Sequence, residues 1–85
     1  MKYSFPAIFE QDKQDKNFIN VIFPDLWGVV TCGKDMEEAR LMAKDVLQSM
    51  LQFDYIRETK SKGLEQTKAN FPDKTIELVE VEYNG

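Results

Sequence analysis

At 85 residues the chain has room for one small domain and not two. Its net charge of −4, with lysines and arginines scattered among acids, argues against a phosphate-binding face and for attraction to a basic protein. It contains no histidine, so the commonest general base and transition-metal ligand is missing, and its single cysteine, Cys32, excludes an intrachain disulfide. No apolar run approaches the roughly 18 residues of a membrane span. No signal-peptide core follows Met1, and the reading is a cytoplasmic protein without cofactor or metal.

The chain opens with a strand, about 2–10, in which Tyr3, Phe5, Ala7 and Phe9 alternate with Lys2, Ser4, Pro6 and Glu10. Pro6 donates no ladder hydrogen bond and must sit at a gap or an edge. A wholly polar loop, 11–17, leads to a second strand at about 18–23. Pro24-Asp25-Leu26-Trp27-Gly28 then reads as a turn: proline fixes φ, aspartate closes an Asx turn, and Gly28 accepts positive φ. The β-branched run at about 29–32 is a third strand, ended by Gly33; Cys32 within it reads as a small buried hydrophobe.

Asp35 is placed to cap a helix, and Glu38, three residues on, completes a capping-box pattern. The helix, about 36–53, carries an apolar stripe of Met36, Ala39, Met42, Ala43, Val46, Leu47, Met50 and Leu51. From about 57 to 74 the pattern dissolves into charge, an arm long enough to reach over a partner. A last strand follows at about 75–83. The order β-β-β-α-β predicts an α+β domain with one main helix on one face of the sheet. With the helix as a crossover, the last strand should enter parallel to a neighbour, giving a mixed sheet. Both faces of the strands carry apolar side chains, so the uncovered face or a sheet edge should meet a second copy or a partner, in a dimer or tetramer.

Tyr3, Phe5-Pro6-Ala7, Phe23-Pro24-Asp25-Leu26, Gly28, Thr31, Gly33 and Glu37-Glu38-Ala39 together resemble the HicB-type antitoxin family. The resemblance covers most of residues 3–52. It implies a partial ribonuclease-H-like fold without catalytic carboxylates, binding a small basic HicA-like mRNA endonuclease toxin and blocking its active site. Many members carry a C-terminal DNA-binding segment; the sequence ends at Gly85 without one, which puts direct operator binding in doubt and reads as a short-form member, a fragment, or repression left to another protein. Trp27 stands where the family commonly has proline, and Asp35 where threonine or serine caps the helix.

No residue reads as catalytic. The candidate partner-binding residues are Trp27 at the turn, with Asp25, Glu58, Glu65 and Asp73; Glu77, Glu80 and Glu82 are further acids that could meet a basic toxin. Pro24, Gly28, Gly33, Asp35 and Glu38 read as structural. Two other readings stay open: a self-associating regulatory or scaffold module without a toxin, and a residual ribonuclease-H-like nuclease using Asp25.

Overall fold

The alternation seen in the first strand is that of a sheet buried against a helix, and the computed structural model, which describes residues 1–84, shows how the chain achieves it. β1 (Lys2–Gln11), β2 (Ile19–Ile22) and β3 (Val30–Gly33) form successive antiparallel hairpins. Three helices follow, α1 (Met36–Met50), α2 (Asp54–Glu58) and α3 (Leu64–Asn70), before β4 (Thr75–Glu82). The strand order is β3-β2-β1-β4.

The first hairpin loop closes on Asp12, whose carboxylate accepts the N–H groups of Gln14 and Asp15 and the side-chain amide of Asn20. These donors, Asn20 first, hold its pKa below the ordinary carboxylate value. Pro6 lies just beyond the β1–β2 ladder, which ends at the Ile8–Ile22 pair, so its missing N–H breaks no bond to β2. α1 begins as its cap predicts: Asp35 accepts the Glu38 N–H at 2.8 Å. The return bond of Glu38 goes one residue upstream, to the N–H of Lys34. Such caps contribute about 1 kcal/mol.

α1 buries Ala39, Ala43, Leu47 and the capping Leu51 against Phe5, Ala7 and Phe9 of β1, Val21 of β2, and Val79 and Val81 of β4. That is the predicted stripe, except that Met42 turns partly to solvent.

The expected parallel entry of the last strand does not occur. β4 pairs antiparallel with β1, from Lys2–Glu82 to Phe9–Thr75, and the sheet is antiparallel throughout rather than mixed. The reason lies in the residues after α1. A single helical pass would return the chain to the end of the sheet from which a parallel strand starts. Here α1 runs back along the sheet and α3 runs forward again, so β4 starts beside the end of β1 and points the other way.

The charged stretch 57–74 therefore does not project as an arm. α2 buries Ile56, and α3 packs on β1 and β4. Ile8 and Ile76, directly opposite one another and facing away from α1, are both buried, as is Thr67 of α3, whose hydroxyl donates to the Gly63 carbonyl. So α3 covers half of the face that the sequence reading left open. The half over β2 and β3 stays uncovered, and Cys32, expected to be buried, is exposed there.

Candidate partner-binding surface

The β2–β3 turn sends two adjacent side chains in opposite directions. The Leu26 N–H donates to the Phe23 carbonyl and the Val29 N–H to the Leu26 carbonyl, while Gly28 takes φ 79°. This winding puts Leu26 in the core at 2% exposure and leaves Trp27 at 88%. Pro24 and Asp25 are half-buried beside it. Burying a tryptophan is among the largest apolar gains open to any residue, and this one forgoes it in the isolated chain.

Asp25 does more than close the turn. Its carboxylate accepts the N–H of Lys62 at 3.0 Å, across 37 residues of sequence, and so fastens the α2–α3 connection to the turn. Nothing in the sequence signals that contact. The same bond brings Glu58, at the end of α2, and Glu65, in the first turn of α3, to the end of the domain that carries Trp27; both are exposed. Lys60 and Lys62 lie on the same connection, so this end is mixed in sign. Asp73 is not part of the group. It precedes β4, at the opposite end of the sheet, near the pairing of Thr75 with Phe9.

Several cations are engaged inside the domain. Arg57 stacks over the Tyr83 ring at 5.6 Å, pairs with Asp54 and donates to the Leu51 carbonyl. Lys74 pairs with Glu10, whose pKa is lowered chiefly by that hydrogen bond. Arg40 holds Glu77 in a two-pronged contact, Nε to Oε1 and Nη2 to Oε2, each 2.8 Å. Glu80 pairs more loosely with Lys2, at 4.0 Å, and Glu82 is the remaining exposed acid of β4. Among the described residues no group of three acids or cysteines converges as a metal site would require, and no helix is long and apolar enough to cross a membrane.

The Arg40–Glu77 pair sets a pH dependence. Hydrogen bonding from Arg40 outweighs burial and lowers the Glu77 pKa from its ordinary 4.5, while the same contact raises that of Arg40. A depressed carboxylate stabilises the fold above its unfolded pKa and loses that contribution as pH falls through the folded value. Glu77→Gln should therefore lower the melting temperature slightly at pH 7, by the roughly 0.2–1 kcal/mol of an exposed pair. The gap between variant and parent should close in acid, as pH falls below the ordinary 4.5 and through the lowered folded value. Thermal melts across pH check this; a gap that persists in acid would refute the ion-pair account.

No family model matches the chain. Over 48 residues it is 40% identical to a UPF0150 protein of Thermotoga maritima, a match covering 56% of this chain and 63% of that relative. The chain thus spans less than two thirds of that relative. Two solved structures share the fold. One is a chain in a toxin–antitoxin complex from Streptococcus pneumoniae, with a TM-score of 0.74 at 21% identity, covering 96% of this chain and 70% of that one. The other is the N-terminal domain of the Burkholderia pseudomallei antitoxin HicB, with a TM-score of 0.71 at 19% identity, covering 95% of this chain and 100% of that one. The resemblance read from the sequence is thus met in three dimensions, as a likeness of fold.

Proposed function

We propose that this domain, folded like the N-terminal domain of a HicB antitoxin, neutralises a small basic HicA-like ribonuclease toxin by binding it. The observation that carries the reading is the shared architecture over 95% of the chain with an antitoxin domain. Two features agree with it. The net charge of −4 favours encounter with a basic protein. The end of the domain bearing Trp27 offers a large exposed aromatic and also carries exposed Glu58, Lys60, Lys62 and Glu65, the composition of an interface centre with a charged rim. The reading is one of binding, and in it Asp25 serves the fold by accepting the backbone N–H of Lys62. The cytoplasm, where mRNA is the target, is the compartment this reading requires.

The test is a search for an adjacent reading frame encoding a small basic protein, and co-expression of that protein with this chain. The expected result is a stable complex that co-purifies, together with rescue of growth when the toxin is induced. A toxin that kills equally well in the presence of this chain, and that does not co-purify with it, would exclude the reading.

A further inference from the structure

The two edges of the sheet are built differently. Edge strands expose unpaired N–H and C=O groups, and proteins usually blunt them with charge, proline or a bulge. β4 carries Glu77, Glu80 and Glu82. β3, the other edge, reads Val30-Thr31-Cys32-Gly33 and carries none of these devices. On the face away from α1, Val30 is 58% exposed and Ile22 39%. With Asn20, Thr31 and the exposed Cys32 they border a concavity of about 420 Å³. On the helix side stands Met42, 38% exposed. It lies one turn beyond Glu38, which reaches the N–H of Lys34 just past the end of β3. The open edge is therefore flanked by apolar side chains on both faces.

We propose that β3 pairs with β3 of a second copy, antiparallel about a two-fold axis, joining two four-stranded sheets into one of eight. A strand-like occupant follows from the unpaired backbone, and charge selects which strand. A basic partner gains little at a strand that itself carries no charge, when the other edge of the same sheet offers Glu77, Glu80 and Glu82. A second copy meets apolar surface with apolar surface and places no like charges opposite one another, which its acidic β4 edge could not avoid. The arrangement is self-complementary, as a two-fold contact requires: with the axis near Thr31, Val30 of each copy faces Cys32 of the other. It also sends the two Trp27 turns to opposite ends of the joined sheet, clear of the contact. The proposal concerns the chain alone and does not rest on a toxin.

Sedimentation of the purified chain without any partner, over a concentration series, tests it. The parent should run as a dimer. The double variant Val30→Lys/Cys32→Lys places like charges across the axis at positions already exposed in the single chain. It should raise the dimer dissociation constant by at least about tenfold while keeping its far-ultraviolet spectrum. A second readout needs no substitution: a short bis-maleimide acting on Cys32, the sole cysteine, should link the parent into dimers in a yield that survives dilution. A parent that is monomeric throughout the series, a folded double variant that dimerises like the parent, or a parent that Cys32 cannot link would each overturn the proposal.

Discussion

Replacing Gly33 with alanine should lower the melting temperature of this domain by on the order of 10–20 °C. Gly33 is buried at the end of β3, opposite Ile19 and beneath the first turn of α1. A Cβ there would stand 2.4 Å from the Ala39 nitrogen, 2.7 Å from its Cα and 2.8 Å from the Glu38 carbonyl carbon. All three are backbone atoms of a capped helix turn, so no side chain can swing aside. Relief requires moving the start of α1 away from the sheet. That loosens the Asp35 cap and the contacts of Ala39 and Ala43, both fully buried. Overpacking typically costs about 1–3 kcal/mol, and rigid backbone on both sides places this case at the upper end or beyond.

Gly28→Ala supplies the contrast. No atom lies within 4 Å of the added Cβ, and the cost is only that of holding alanine at φ 79°, roughly 1–2 kcal/mol. Thermal melts of the two variants decide the matter. A Gly33→Ala protein that melts with the parent, or less than Gly28→Ala below it, would show that α1 is not seated on β3 as described.

What the sequence reveals and what it hides divide along physical lines. The three hairpin strands and α1 were legible because their signals are local: alternation in Tyr3–Phe9, a proline–glycine turn, a cap at Asp35 and a helical stripe. The direction of β4 was not, because it depends on how many times the chain crosses the sheet between Leu51 and Thr75. Those crossings include α2 and α3, of five and seven residues. Helices this short show barely two turns of periodicity and draw their stability from the surface they cover rather than from their own sequence. One further expectation failed with that one: without α3, the whole second face of the sheet looked open, whereas α3 over Ile8 and Ile76 leaves only β2 and β3 uncovered. Cys32 was misread separately, because its register opposite Asn20 places it on the face away from α1, which α3 does not reach. The Asp25–Lys62 bond was equally invisible, since a contact across 37 residues leaves no pattern in either segment. Trp27 was half legible. Its place at the apex of a turn was plain, but which of Leu26 and Trp27 would fill the core is decided by packing.

On the proposed function, Trp27→Ala should weaken binding of the toxin partner by about 30-fold or more, the 2 kcal/mol or greater that marks a central interface aromatic, with no change in melting temperature. Both halves of the expectation come from its 88% exposure. A side chain that touches almost nothing in the free domain has little to lose there, and all of its apolar surface remains to be buried by a partner. Leu26→Ala separates binding from folding in the neighbouring position. Leu26 is 2% exposed and belongs to the core cluster. Its truncation should cost about 2–5 kcal/mol of stability and affect binding only through the fraction of chain still folded. Calorimetric titration of the toxin into each variant, paired with thermal melts, distinguishes the outcomes. If Trp27→Ala binds as the parent does, the turn is not the contact, and the acids of β4 become the next surface to test. If Trp27→Ala instead melts well below the parent, the indole supports the fold, and its exposure does not mark a binding residue.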